Sequence, residues 1–212
     1  MKFVYLHGFA SGPGSTKAQL FRERMEALGI KLSIPDLAQD DFEHLTISGQ
    51  LRVVDREVKG GPSVLIGSSM GGYLAALYAS EHPEVQKVVM LAPAFGFAQR
   101  WPQSLGAEAV GNWKRTGFME VMHYAHNRPE RVWWHLIEDG LAFPAEPEIV
   151  QPGLIFHGSA DETVPVAFSE TYAAKHPNVK LRILPSDHQL TDQVETIWKE
   201  TAAFLFPSRP DT

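Results

Sequence analysis

Val64-Leu65-Ile66-Gly67-Ser68-Ser69-Met70-Gly71-Gly72 joins a short apolar run to G-x-S-x-G, and Tyr73-Leu74-Ala75-Ala76-Leu77-Tyr78 follows as helix-forming sequence. The pattern alone is weak in a chain with 17 glycines, so its setting carries the reading. A strand that turns sharply into a helix holds the residue at its apex exposed and strained, with its side chain aimed into a cleft. Ser69 is therefore the candidate nucleophile. Gly67 and Gly71 flank the turn where side chains would meet neighbouring backbone, and Gly72 lets the helix pack closely on the sheet.

Working outward, apolar runs alternate with longer amphipathic ones. The runs Phe3–Leu6, Lys31–Ile34, Val64–Gly67, Lys87–Leu91, Gly153–Phe156 and Lys180–Leu184 predict strands. Helices are predicted over Thr16–Leu28, Leu45–Val58, Gly72–Ser80, Val166–Lys175 and Asp192–Leu205, the last with Thr191 as its N-cap. The strand runs are continuous rather than alternating, as in strands buried on both faces. Together they predict a mostly parallel, six-stranded α/β sheet flanked by helices.

One stretch breaks the rhythm. Between Pro93 and Gln151, a crossover far longer than usual holds four of the five tryptophans: Trp101, Trp113, Trp133 and Trp134. Helical spacing of Phe118, Val121, Met122 and Ala125 suggests a helix, with a hairpin turn at Thr116-Gly117 as the alternative. Val132, Leu136 and Ile137 suggest a second helix stopped by Gly140. The expectation is one domain over 1–212, with 93–151 as a lid-like insertion whose Trp101, Trp113, Phe118, Met122 and Tyr124 line a substrate pocket. Packing of those aromatics on the domain alone is the plainer reading.

A serine nucleophile needs a base, and the base needs a carboxylate to hold its tautomer. On an α/β sheet these follow in the order Ser, Asp/Glu, His, at the carboxyl ends of strands. Asp161 follows the strand ending at Phe156, and His188 follows the strand ending at Leu184. They lie one helix–strand unit apart, so adjacent parallel strands would set their loops side by side. Glu162 and Asp187 are the competing carboxylates. His157 reads as a packed structural histidine, His44, His82 and His176 as solvated, and His123, His126 and His135 belong to the insertion. Two backbone donors would complete the site by holding an oxyanion. One is the N–H of Met70, at a helix N-terminus. The other is the N–H of Phe9, presented by His7-Gly8, with Ala10 as the alternative.

Composition excludes other classes. A net charge of −6 argues against nucleic acid or an anionic membrane surface as partner. Without cysteine there is neither disulfide nor thiolate chemistry. No paired metal-ligand spacing and no dinucleotide or P-loop fingerprint occurs, so neither metal nor cofactor is expected. No stretch reads as a membrane span or signal peptide, and a cytoplasmic location is the default expectation.

These blocks — His7-Gly8-Phe9, Gly67 to Gly72, His157-Gly158 with Asp161 and Val164-Pro165, and Asp187-His188 — resemble the α/β-hydrolase superfamily along nearly the whole chain. Within it, His7-Gly8-Phe9-x-Ser11-x-Pro13-x-Ser15-x-Lys17-Ala18 resembles the small YqiA-like esterases. The resemblance implies a small-molecule ester substrate of small to medium acyl size, cleaved without cofactor by Ser69, His188 and Asp161. Thioester, amide or C–C cleavage on the same triad, and a non-catalytic ligand-binding protein of this fold, remain the alternatives. The chain departs from larger members in starting at the strand that leads into the oxyanion loop. It departs from the smallest in its aromatic insertion.

Overall fold

The structure is a computed structural model that describes residues 1–207. Six strands form one parallel sheet: β1 (Lys2–Leu6), β2 (Leu32–Ser33), β3 (Ser63–Ser68), β4 (Val85–Leu91), β7 (Gly153–Gly158) and β8 (Val179–Leu184), in the order β2-β1-β3-β4-β7-β8. All six lie where the apolar runs predicted them. β3 is central and buried throughout, because it pairs with β1 on one side and β4 on the other. Its residues alternate between two apolar clusters. Val4, Leu6, Leu65, Val88 and Met90 enter one, while Phe3, Tyr5, Val64, Ile66, Val89 and Leu91 enter the other. That alternation is the period-2 geometry of a strand covered on both faces.

α1 (Thr16–Ala27) and α8 (Val194–Leu205) cover one face through Ala18, Phe21, Met25, Ile197 and Leu205. α2 (Ile47–Val58), α3 (Met70–Glu81) and α7 (Ala167–Lys175) cover the other. α3 is apolar all round, and its residues Met70 to Ala79 are all buried, as expected of a central helix. Thr46 caps α2 by accepting from the Gly49 N–H at 3.0 Å. Thr191 does not cap the last helix. It opens a 3-10 turn over Thr191–Gln193, and α8 starts after it.

The long excursion differs in detail from its sequence reading. It contains α4 (Phe97–Leu105), α5 (Ala107–Thr116), a hairpin of β5 (Phe118–His123) and β6 (Arg128–Trp133), and the short α6 (His135–Gly140). Residues 118–123 are therefore strand, not helix. Met119 and Val121 on one face of β5 pack on the core, and this alternation mimics helical spacing over so short a run. Gly117 terminates α5 in a left-handed conformation, φ 86°, and the hairpin turn falls at 124–127 instead. Val132 belongs to β6 rather than to a second helix. Trp113, Val132, Leu136 and Ile137 are buried in the same apolar cluster as α2 and α3. Ser48 at the start of α2 donates to the Asp139 carboxylate in α6 through its N–H, at 2.8 Å, and through its hydroxyl.

The closest approach of glycines to backbone lies at the β3–α3 turn. A Cβ on Gly71 would run into the carbonyls of Leu6 and His7, and one on Gly67 would run into the Gly71 carbonyl. Both obstacles are backbone and cannot swing aside. Gly71→Ala is expected to destabilise the protein by about 3 kcal/mol, measured as a lowered midpoint in urea denaturation with unchanged slope.

Candidate active site

Ser69 stands between β3 and α3 with φ 53° and ψ −117°, a conformation that residues other than glycine rarely hold. The surroundings enforce it. Its N–H donates to Leu91 O at 2.8 Å, which extends the β3–β4 ladder by one bond. Its carbonyl accepts from the N–H groups of Gly72, Tyr73 and Ala94 at 3.0–3.1 Å. The side chain projects into a cleft of about 1020 Å³.

His188 Nε2 lies 3.1 Å from Ser69 Oγ, and its Nδ1 lies 2.6 Å from Asp161 Oδ2. The carboxylate side chain is fully buried, and the imidazole is 15% exposed. β7 and β8 bring the two loops together through Ser159 N–H to Leu184 O and Ala160 N–H to Ser186 O, at 2.8 and 3.0 Å. Of the competing carboxylates, Glu162 is exposed. Asp187 accepts from the Gln189 and Leu190 N–H groups at 2.8 and 3.3 Å, which shapes the loop behind His188.

Burial alone would raise the Asp161 pKa, but the hydrogen bonds from His157, His188 and the Val164 N–H outweigh it and hold the carboxyl well below its usual range. Oδ1 takes the Thr163 and Val164 N–H groups at 2.9 and 2.7 Å. Oδ2 takes His188 and, at 3.1 Å, His157 Nε2. His157 is fully buried; its Nδ1 accepts from the Ser169 hydroxyl at 2.7 Å, so Nε2 carries the proton that faces Val164 O and Asp161. It is packed, as its sequence position suggested, and it also clamps the carboxylate. Its place at a strand end four residues before Asp161 was the only sequence signal for that second role.

His7 was likewise not singled out for its side chain. Its Nε2 accepts from Leu37 N–H at 3.2 Å, so Nδ1 carries the proton and donates to Gly8 O at 3.0 Å. Burial lowers the His7 pKa, which keeps the ring neutral in that tautomer. The bond fixes the plane of the Gly8–Phe9 peptide, whose N–H points opposite to the held carbonyl. Among the described residues, neither the Phe9 nor the Met70 N–H has an acceptor within the chain, and both residues border the cleft beside Ser69.

Of the expected pocket residues, Trp101, Met122 and Tyr124 line the cleft. Met122 and Tyr124 are 49% and 74% exposed, so they form its rim. Trp113 and Phe118 do not line it. Trp113 is fully buried behind Trp101, with ring centroids 5.0 Å apart, and its Nε1 donates to Val132 O at 3.0 Å. Phe118 packs on Trp133 and carries the Arg131 guanidinium over its ring at 4.3 Å. Aromatic content located the wall of the cleft without distinguishing its inner layer from its surface. Lys17, Arg100 and Phe97 line the cleft and were not proposed from the sequence.

Two histidines expected in solvent are packed. His176 is 8% exposed and stacks on Tyr172 at 4.0 Å, and His82 stacks on Tyr78 at 3.7 Å. His123, His126 and Glu130 gather at the hairpin tip with potential ligand atoms within 4.8 Å of one another, a cluster that spacing did not announce. Internal bonds occupy it: Glu130 takes His126 Nδ1 at 2.8 Å and Arg128 Nε at 2.9 Å, and the two imidazoles stack at 4.0 Å.

A protein-family profile matches residues 2–205. The chain belongs to the uncharacterised protein family UPF0227. No curated protein sequence matches it. Solved structures show that this UPF0227 chain has the α/β-hydrolase fold. It superposes on mouse alpha/beta hydrolase domain-containing protein 10 with TM-score 0.82 at 19% identity, over 96% of this chain and 89% of that one. A protein of Agrobacterium vitis described as a candidate hydrolase gives TM-score 0.83 at 25% identity, over 95% and 87%. Est1E from Butyrivibrio proteoclasticus gives 0.76 at 20%, over 96% and 87%. No helix among the described residues is long and apolar enough to cross a membrane.

The Asp161 environment has a pH consequence. Its folded pKa lies below the unfolded value of about 3.9, so the ionised group contributes stability above that pH and loses it as pH falls toward the folded value. Asp161→Asn is expected to be less stable than wild type at pH 7. The gap should narrow progressively below about pH 4, as read by urea midpoints across a pH series.

Proposed function

We propose that this UPF0227 chain is a serine hydrolase that cleaves carboxylic esters of small to medium acyl groups through an acyl-enzyme on Ser69. The observation that carries the reading is a single imidazole, His188, within hydrogen-bond reach of both Ser69 Oγ and a buried carboxylate, at the floor of an open cleft. The fold is shared with proteins described as lipolytic enzymes and as a monoacylglycerol lipase, which agrees with this chemistry.

In this reading Ser69 Oγ bonds to the ester carbonyl carbon as its proton passes to His188 Nε2. Asp161 keeps the His188 Nδ1 proton in place and stabilises the imidazolium. The carbonyl oxygen becomes an oxyanion held by the Phe9 and Met70 N–H groups, the latter at the positive end of α3. His188 then protonates the leaving alcohol as the carbonyl re-forms. Water attacks the acyl-enzyme by the same route, giving the acid and free Ser69. The excursion over 93–151 acts as a cap, with Trp101, Met122 and Tyr124 facing the substrate. Thioesters fit the same machinery, because leaving-group preference resides in the cleft and not in the triad.

Two measurements test this. A fluorophosphonate probe should label Ser69 stoichiometrically in folded protein, and absence of labelling would overturn the reading. Ser69→Ala should lower kcat on an active ester by a factor on the order of 10³ to 10⁶ with unchanged circular dichroism and denaturation midpoint. Retention of more than about a tenth of the activity would exclude Ser69 as the nucleophile.

A further inference from the structure

Lys17 and Arg100 are the two Lys or Arg side chains of the cleft that contains Ser69, and no Asp or Glu shares its lining among the described residues. This is unexpected in a chain that carries 25 acidic and 19 basic residues. Each side chain is half-buried, and each spends one donor on a backbone carbonyl. Lys17 Nζ donates to Gln189 O at 2.6 Å, one residue beyond His188, and Arg100 Nε donates to Phe95 O at 2.8 Å. The Arg100 guanidinium carbon lies 4.5 Å from the centre of the Phe168 ring, a cation–π contact, and among the described residues its terminal nitrogens have no hydrogen-bond partner.

From this geometry, and resting on the hydrolase reading above, we infer that the preferred substrate carries a second, non-reacting anionic group, a carboxylate or a phosphate, bound between Lys17 and Arg100. Two positive side chains taken partly out of water with no carboxylate in salt-bridge contact among the described residues are costly, and an anionic ligand offsets that cost through charge-assisted hydrogen bonds. Burial lowers both pKa values, Lys17 to about 8, against weaker opposing attraction from Asp161 on each and from Asp187 on Lys17. An anion in the cleft would restore them. The two cations come from separate segments of the chain, Lys17 from the first turn of α1 and Arg100 from α4. Neither is needed to build the Ser69–His188–Asp161 contacts, which are complete without them.

The test uses matched ester pairs that differ only in charge. One pair places it on the acyl side: the p-nitrophenyl monoester of adipic acid against that of its neutral monoamide. The other places it on the alcohol side: the butyrate ester of para-hydroxybenzoate against that of para-hydroxybenzamide. Phosphonate counterparts separate a carboxylate-selective site from a phosphate-selective one. Wild type should favour the anionic member of at least one pair by about tenfold or more in kcat/KM, mainly through KM. Lys17→Met and Arg100→Met should each pull that ratio toward one, and Lys17→Arg and Arg100→Lys should retain most of it. Wild type that cleaves the neutral esters as well as every anionic partner would overturn the inference while leaving the hydrolase reading intact. Met variants that lower both members of a pair in proportion would also overturn it, because they would make the two side chains supports of the fold alone. Wild type that cleaves no ester and takes no fluorophosphonate would overturn the hydrolase reading, and this inference with it.

Discussion

The close approach of α3 to the ends of β1 and β3 is the constraint on which the rest depends. It exists because Gly67 and Gly71 present no Cβ to the backbone they face. A helix that starts so near the sheet leaves no room for a gradual turn, so the chain passes through Ser69 at positive φ. That strain is held by the hydrogen bonds on the Ser69 carbonyl and by a wholly buried α3. The same approach sets the first turn of α3 against the loop after β1. Two backbone N–H groups with no acceptor among the described residues, Phe9 and Met70, therefore border the cleft beside Ser69.

Around that turn, polar groups are fixed by several partners each, among them His157 and His7, which do not line the cleft. Asp161 is the acceptor for two ring nitrogens and two backbone N–H groups, so its charge is stabilised although its side chain is sealed from water. His7 does for the Gly8–Phe9 peptide what His157 does for the carboxylate, with a neutral ring whose proton position is set by what its other nitrogen accepts. Preorganisation of this kind means that little has to move when charge develops in the cleft. The hairpin joins in at the rim, where Tyr124 N–H donates to Ala10 O at 2.8 Å and ties the β5–β6 tip to the loop after β1.

The sheet was readable because parallel strands buried on both faces leave unbroken apolar runs, and the helices between them leave amphipathic ones. Residues 118–133 were not. A two-stranded hairpin with one face on the core and the other exposed alternates too briefly to be told from a helix. Ser69, Asp161 and His188 could be named because each sits in a turn immediately after a strand, where chain order and topology restrict the choice. Lys17 and Arg100 had no such marker, since a basic residue on a helix ordinarily faces solvent. The pocket aromatics fell between these cases. Trp101 and Trp113 have indistinguishable local sequence signals, yet one forms the cleft wall and the other lies fully buried behind it.

By itself, the sequence determined the α/β class and the positions of the six parallel strands, and it put Ser69, Asp161 and His188 in turns at strand ends, because each of these follows from local periodicity and from turn residues. Tertiary structure alone decided which groups hydrogen-bond around Asp161 and His188, which aromatics reach the cleft, and that its lining among the described residues carries cations without carboxylates. Those properties depend on side chains from distant segments converging on one volume, as Lys17 does with Gln189, 172 residues further along the chain. No local pattern encodes such a meeting, since it is fixed only when the sheet order and the packing of both helix layers are complete.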